Sequence, residues 1–116
     1  MKYLCTVIVD NDIAAAVTPE GWAKIGEDSQ AYDRALMARG VFLAAEALQG
    51  RETARTVRVR GGDTLVTDGP YAESKEVLAG FILIDVADAE AAMEVARNIP
   101  MARLGAVEVR PVMDFE

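Results

Sequence analysis

The stretch Ala79–Val86 reads Ala-Gly-Phe-Ile-Leu-Ile-Asp-Val, and it decides the fold of the chain. Alternate residues of a β-strand point to opposite faces of a sheet. Phe81 and Leu83 would therefore lie on one face, and Ile82 and Ile84 on the other. A strand that is apolar on both faces is typical of the centre of a sheet that is covered on both sides. The sequence thus predicts a central strand with a packing layer on each face.

A second strand of the same character is predicted at Tyr3–Val9, which is rich in β-branched and aromatic residues and apolar on both faces. Cys5, the single cysteine of the chain, lies within this run. One cysteine cannot form an internal disulfide, and free cysteine is among the most buried residue types. We therefore expect a buried thiol at Cys5.

Two further strands alternate between apolar and polar residues. Thr56–Arg60 places its valines on one face and its arginines on the other, and Gly61-Gly62-Asp63 then supplies a tight hairpin turn into a returning arm at Thr64–Thr67. Ala106–Val112 alternates in the same way, and Pro111 withholds a backbone N–H there. This last strand is predicted at an edge of the sheet.

Two helices and one more strand complete the pattern. Thr18-Pro19-Glu20 combines an N-cap hydroxyl, a proline in the first turn and an acidic residue, and Gly40 favours the helix end. Val41–Leu48 is predicted to be a strand, and Asp88 is predicted to cap a second helix that stops at Pro100. The apolar stripe predicted for the first helix consists of Trp22, Ile25, Ser29, Tyr32 and Leu36.

The resulting order is strand, helix, strand, hairpin, strand, helix, strand, which indicates a single α+β domain spanning residues 1–116. Helices can cover one face of such a sheet. Because two strands are apolar on both faces, a further layer must cover the other face. We predict that a second copy of the chain supplies this layer in a homodimer.

Composition excludes several classes of function. Twelve basic and nineteen acidic residues give a net charge of −7, which would repel a nucleic-acid backbone. The chain has no histidine, so His-based triads and zinc sites are excluded, and we expect neither a metal nor a cofactor. The first twelve residues are interrupted by Asp10 before they could form a signal peptide or a membrane span. A cytoplasmic location without membrane contact is the expectation.

The segment Asp68–Glu76 (DGPYAESKE) joins the hairpin to the central strand and concentrates ionisable groups on a turn. Gly69 and Pro70 impose a sharp bend that could present Asp68 beside Tyr71. Asp68 is then either a turn cap or a functional acid, and Tyr71 either packs at a subunit boundary or hydrogen-bonds a ligand through its hydroxyl.

At these residues the chain resembles the YCII-related proteins of the DGPF type, whose signature is close to D-G-P-[FY]-A-E-[ST]-K-E followed by a Gly-Phe strand. The corresponding stretch here is DGPYAESKEVLAGF. The resemblance extends to the TVRVRGG hairpin, to the helix end at Ile99-Pro100 and to Gly105–Val112, and it covers most of the chain from Gly40 onward.

The resemblance implies a ferredoxin-like fold, with an antiparallel sheet and two helices on one face, that pairs into a dimeric α+β barrel. Some relatives are similar to small-molecule isomerases and lyases that use a His-Asp pair in the barrel cleft. Without a histidine that pair cannot operate here, and Asp68 would be the surviving acid. Proteins of this type are also often encoded beside extracytoplasmic-function sigma factors, which implies a regulatory link.

Three further residues are candidate ligand contacts. Arg58 and Arg110 each lie on the polar face of a strand, where a guanidinium could hold a carboxylate or could simply face water. Trp22 is either a core anchor or the wall of a pocket.

Two functional hypotheses follow. In the first, the protein is an enzyme acting on a small acidic or enol-type metabolite, with Asp68 as acid or base, Tyr71 as hydrogen-bond donor and an arginine holding the anion. In the second, it is a non-catalytic dimer that binds a small ligand or a regulatory partner. We favour the second, because the remaining residues form no recognisable pair of nucleophile and base.

Overall fold

The computed structural model describes residues 1–115, and its regular elements follow the predicted order. The strands are β1 (Lys2–Asp10), β2 (Phe42–Ala47), β3 (Arg55–Arg60), β4 (Asp63–Asp68), β5 (Glu76–Asp85) and β6 (Gly105–Pro111). The helices are α1 (Asn11–Ala15), α2 (Pro19–Ala38) and α3 (Ala89–Arg97).

Four strands form one antiparallel sheet in the order β2-β5-β1-β6, which is the ferredoxin-like arrangement. The predictions of an α+β fold, of a central strand at Ala79–Val86 and of an edge strand at the C-terminal end are confirmed. Strands β3 and β4 pair only with each other and form a separate two-stranded sheet. Its turn is built on Gly61 and Gly62, whose φ angles of 56° and 87° lie in the region that glycine tolerates best.

Both long helices begin where the sequence predicts. The Thr18 hydroxyl accepts a hydrogen bond of 3.0 Å from the Gly21 N–H, and Asp88 accepts one of 2.8 Å from the Ala91 N–H. These bonds satisfy backbone donors that a helix start leaves unpaired. Helix α2 ends before Gly40, which adopts a φ of 75°.

Three short elements were not predicted, one of them a 3₁₀ helix at Arg51–Thr53. Helix α1 follows β1 directly and is capped by Asp10, which accepts from the N–H groups of Asp12 and Ile13. Helix α3 ends at Arg97, three residues before the predicted stop at Pro100. A 3₁₀ helix at Pro100–Leu104 then leads into β6. Elements of five residues are too short to show a period in the sequence, so hydropathy patterning could not reveal them.

The core lies between the two long helices and one face of the four-stranded sheet. Cys5, Leu36, Ile84 and Val95 are completely or almost completely buried there. The buried thiol predicted at Cys5 is confirmed, and burial raises its pKa. The remaining members of this core cluster are Tyr3, Val7, Val9, Ile25, Ile82, Val86, Ala92, Ala96, Ile99 and Leu104.

The opposite face of the sheet, here called the open face, is also apolar but does not belong to this core. Leu4 is paired with Leu83, so these two side chains lie side by side on the open face. Both are half-buried, as are Ile8 and Phe81, whereas Leu78 is 48% exposed. The prediction that β1 and β5 are apolar on both faces is therefore confirmed. Within residues 1–115, the core residues of the helices pack against one of these two faces only.

The size of the molecule reflects this open architecture. The radius of gyration is 16.0 Å, whereas a compact chain of this length has about 13 Å. The accessible surface is 8064 Å², about 1,900 Å² more than the roughly 6,200 Å² expected for a compact monomer of 12.5 kDa. The chain leaves an unusually large share of its surface in solvent.

None of the helices in residues 1–115 is long and apolar enough to cross a membrane.

Candidate functional site

A cavity of about 350 Å³ opens between α2 and the part of the sheet formed by β2 and β5. This volume lies within the range of about 300 to 1,000 Å³ typical of small-molecule sites. Its floor is mostly apolar and includes Val7, Ile25 and Ile82 from the core. Further lining residues are Trp22, Gly26, Ser29, Tyr32, Asp33, Ala45, Glu46, Ala47, Ala79, Gly80, Phe81, Ile99, Pro100 and Met101.

Small residues on both walls create the space. Gly26 on α2 has no atom within 4 Å of the position that a Cβ would occupy. On the facing strands, Ala45 and Ala47 carry only methyl groups, and a Cβ at Gly80 would lie 2.5 Å from the carbonyl oxygen of Glu46. Strands β2 and β5 can therefore approach closely only with glycine at position 80.

One line of residues along α2 gives the cavity its polar groups. Trp22, Gly26, Ser29 and Asp33 are spaced by four, three and four residues, which places them on one face of the helix. Tyr32 lies beside this line, but its hydroxyl already donates a 2.8 Å hydrogen bond to the carbonyl oxygen of Val95.

Asp33 is the most unusual ionisable group of the cavity. It is half-buried, and no hydrogen bond or ion pair within residues 1–115 reaches its carboxylate. Burial raises the pKa of this carboxyl above its ordinary value, because removal from water disfavours the charged form. Asp28, five residues earlier, differs because hydrogen bonds from Lys24 and Arg103 lower its pKa.

The sequence singled out Trp22 but missed Asp33. Trp22 is 40% exposed and lines the cavity, so of the two roles considered for it the pocket wall is the one observed. Asp33 follows Ser29 by four residues but does not belong to the stripe predicted to be core, which includes Ser29. A serine within that apolar stripe, followed one helical turn later by an aspartate, was the available signal for a polar cavity.

The segment that carries the family resemblance lies elsewhere. Asp68 ends β4, and its side chain is 94% exposed and 3.6 Å from Arg55, whose side chain is also exposed. After it, Gly69 takes a φ of 106°, its N–H donates to the carbonyl oxygen of Ala54, and its own carbonyl oxygen accepts from the Thr56 hydroxyl. Asp68 therefore contacts solvent and a neighbouring strand of the hairpin.

Two of the predicted site residues do meet in this region. The Arg58 guanidinium lies 5.4 Å from the centre of the Tyr71 ring, and it also approaches the Tyr71 carbonyl oxygen at 3.5 Å. A cation over an aromatic face is weakly attractive at an exposed site. Tyr71 itself is 79% exposed and borders a second, wider cavity of about 750 Å³, which also includes Pro70, Gln49 and Leu78.

The remainder of the loop is tied to the body of the domain. The Asn11 N–H donates to the carbonyl oxygen of Lys75, and the Lys75 ammonium lies 3.5 Å from Asp12. The Arg51 side chain donates to the carbonyl oxygen of Ser74. These contacts position the DGPYAESKE segment at the end of the sheet where β5 begins.

Arg110 lies far from both regions. It sits on the open face of the edge strand β6, opposite Leu4 of β1. Glu76 pairs with Asp10, six residues farther along β1, so Arg110 and the start of β5 are about 20 Å apart along the sheet. Within one subunit the five predicted site residues therefore occupy three separate places: Trp22 the cavity under α2, Asp68, Tyr71 and Arg58 the hairpin end, and Arg110 the open face.

Comparison with known proteins agrees with the resemblance read from the DGPY segment. The chain is 34% identical to an uncharacterized protein of Rhizobium meliloti (strain 1021) over 114 residues, which cover 97% of this chain and 92% of that protein. The family model of the YCII-related domain matches residues 1–116, and so it includes the N-terminal third, where the sequence motifs were weakest. On this match and on its ferredoxin-like sheet order, the chain belongs to the YCII-related domain family.

Proposed function

We propose that this protein is a homodimeric module that binds a small ligand in the cavity beneath α2. The observation that carries the proposal is the cavity itself, which has core residues on its floor, is bounded by Trp22 and carries the polar groups of Ser29 and Asp33. Apolar walls with a few convergent polar groups are the usual composition of a small-molecule site.

The positions of the candidate catalytic residues support binding over catalysis. An acid or base that works on a bound substrate is normally held within hydrogen-bonding distance of it and shielded from water. Asp68 is almost fully solvated, Tyr71 is largely exposed, and neither residue lines the cavity beneath α2. In this proposal the pairing of Arg58 with Tyr71 stabilises the loop, and Trp22 is the ligand-binding residue.

A cavity-filling variant tests the proposal. The substitution Gly26→Leu would place a branched side chain in open space and would also improve helix propensity, so the variant is expected to fold. The control is Ala31→Leu, which adds the same bulk on an exposed position of the same helix. Small molecules that raise the melting temperature of the wild type should lose their effect in Gly26→Leu and keep it in Ala31→Leu.

The fluorescence of Trp22, the single tryptophan of the chain, gives a second readout of occupancy. Ligands that bind Gly26→Leu as well as they bind the wild type would contradict the proposal. A broad screen that yields no ligand for the wild type would contradict it as well.

The homodimer is the second part of the proposal. Its support is the apolar open face, where Leu4, Leu83 and Phe81 cluster outside the core of the subunit. The excess surface of about 1,900 Å² is of the size that one partner of a large, obligate interface buries. A second copy has the same open face, and a two-fold axis allows one apolar face to pack against its own copy.

Sedimentation velocity tests the dimer. The wild type should sediment as a dimer at micromolar concentration, and Leu83→Lys should shift it towards the monomer because a lysine would be buried in an apolar interface. Met93→Lys is the matched control, since Met93 is exposed on α3. A wild-type protein that is a folded monomer at all concentrations would refute the dimer.

We also place the protein in the cytoplasm. The support is its chemistry: its one cysteine is a buried free thiol, and secreted domains of this size often depend on disulfides. Fractionation of cells that express a tagged full-length chain checks this assignment.

A further inference from the structure

We infer that the cavity beneath α2 selects a ligand that combines an apolar body with a protonated amine, and that Asp33 is the residue that binds the ammonium group. This inference rests on the proposed function and names the chemical class of its ligand. The enzyme hypothesis of the sequence analysis assumed a small acidic or enol-type metabolite instead, so the two hypotheses predict ligands of opposite charge.

The charge of the residues that line the cavity favours a cationic ligand. Asp33 is the carboxylate that faces the cavity, because Glu46 pairs with Phe81 and its side chain lies on the open face. No lysine or arginine is among the described lining residues. An anionic ligand would find no opposite charge there, and the net charge of −7 would repel it further. A ligand carboxylate would also lose its water of hydration beside another negative charge, and no favourable interaction in the cavity would compensate for that loss.

The state of Asp33 points the same way. A half-buried carboxylate without a protein partner is poorly solvated, and an incoming ammonium group would supply the missing hydrogen bonds and the missing charge. Asp28 shows the contrast on the same helix, because Lys24 and Arg103 already satisfy it at 3.0 and 3.1 Å. Of these two carboxylates on α2, Asp33 is the one with capacity left for a ligand.

The neighbouring groups fit an amine with an aromatic or branched apolar body. The Ser29 hydroxyl lies one turn before Asp33 on the same face and can accept a second N–H. Trp22 brings an aromatic ring to the cavity wall, and aromatic faces attract cations as well as apolar groups. The Tyr32 hydroxyl is already used as a donor to Val95, so it does not offer its proton to an anion.

Three probes of nearly equal size test the inference: 2-phenylethylamine, 2-phenylethanol and phenylacetate. Their affinities are measured at pH 7 by titration calorimetry and by Trp22 fluorescence. We expect the amine to bind the wild type about tenfold more tightly than the alcohol, and phenylacetate to bind most weakly. Asp33→Asn should remove the preference for the amine and leave the affinity for the alcohol within about twofold.

The control is Asp28→Asn, which removes a carboxylate from the same helix outside the cavity and should leave the preference for the amine unchanged. Equal binding of amine and alcohol by the wild type would overturn the inference while the small-ligand function stands. A preference for the amine that survives Asp33→Asn would also overturn it. If none of the three probes binds, both the inference and the assignment of this cavity as a small-ligand site are contradicted.

Discussion

The two halves of this molecule are stabilised in different ways. In the helix-covered half, α2 and α3 pack on β1 and β5, and side chains such as Leu36, Ile84 and Val95 are completely buried. In the hairpin half, β3 and β4 form a sheet of their own in which Val57, Val59 and Val66 are each more than half exposed. A subunit therefore has one well-packed half and one half held mainly by hydrogen bonds and exposed ion pairs.

The part of the sequence that identifies the family is therefore not the part that stabilises the fold. The DGPY segment, which identifies the family, lies in the exposed half, and the cavity lies in the packed half. An isolated two-stranded hairpin is at best marginally stable in water. Asn11, Asp12 and Arg51 contact Ser74 and Lys75 in the loop that joins this hairpin to β5, and not the hairpin itself. We therefore expect substitutions within the hairpin to cost little stability.

The largest expected difference between the halves comes from truncating one apolar side chain in each. Ile84→Ala should lower the free energy of unfolding by about 2 to 5 kcal/mol, because it leaves a cavity in the core. Val66→Ala should lower it by less than about 1 kcal/mol, since Val66 is 55% exposed. Urea unfolding of both variants measures the two values, and similar losses would abolish the distinction between the halves.

A smaller effect is expected at the start of α3. Asp88→Ala removes the hydrogen bond to the Ala91 N–H and should cost about 1 kcal/mol. Asp88→Asn keeps an acceptor at the cap and should retain most of the stability. Thermal unfolding of the pair checks this, and an equal loss in both variants would show that the charge, not the cap, matters.

The two carboxylates of α2 should respond to pH with opposite signs. Asp33 has a raised pKa in the folded state, so its favourable contribution is present at acid pH and is lost as the pH rises through that pKa. Asp33→Asn should therefore stabilise the protein at pH 7, by less than about 1 kcal/mol because the carboxylate is partly solvated. This gain should shrink as the pH falls through the raised pKa and should be lost below the ordinary pKa of aspartate.

Asp28 is the internal control for that pH series. Its pKa is lowered by Lys24 and Arg103, so its contribution is present at neutral pH and is lost as the pH falls through the folded-state pKa. Asp28→Asn should destabilise the protein at pH 7 and have little effect in acid. Urea unfolding at pH 7 and at acid pH measures the change in stability that each substitution causes. If both substitutions changed the stability at pH 7 in the same direction, the opposite pKa shifts of Asp33 and Asp28 would be contradicted.

The smallest effect is expected at Asp68. Within residues 1–115 it forms an ion pair with the exposed Arg55 at 3.6 Å, and exposed ion pairs contribute about 0 to 1 kcal/mol. Asp68→Asn should change the melting temperature very little, and Arg55→Gln should behave in the same way. A large loss in Asp68→Asn alone would reveal a structural role for the DGPY turn that its exposure does not indicate.

Most of the secondary structure could be predicted from local patterns. The strand at Ala79–Val86, the helix starts at Thr18 and Asp88, and the Gly61-Gly62 turn depend on residues close together in the chain, and all four are observed. The predicted boundaries differ by a few residues, as at β5, which begins at Glu76. Helix α1 escaped prediction because five residues carry too little pattern.

The candidate site was less accessible to sequence analysis. Trp22 was recognised as a possible pocket wall, but Asp33 was not considered, because its neighbours on α2 predicted a buried stripe. What leaves Asp33 beside an open space is the set of small residues Ala45, Ala47 and Gly80 on two other strands. Those strands meet α2 only in the folded chain.

The sequence by itself determined the class of the protein: an α+β domain with a two-sided apolar sheet, no histidine chemistry and a family motif on an exposed turn. Only the tertiary structure decided that Trp22, Ser29 and Asp33 border a cavity and that Arg110 lies about 20 Å from the start of β5. The physical reason is the range of the interactions. Strand alternation, helix caps and turns are set by neighbours in sequence, whereas a cavity and its charge depend on side chains that packing brings together from distant parts of the chain.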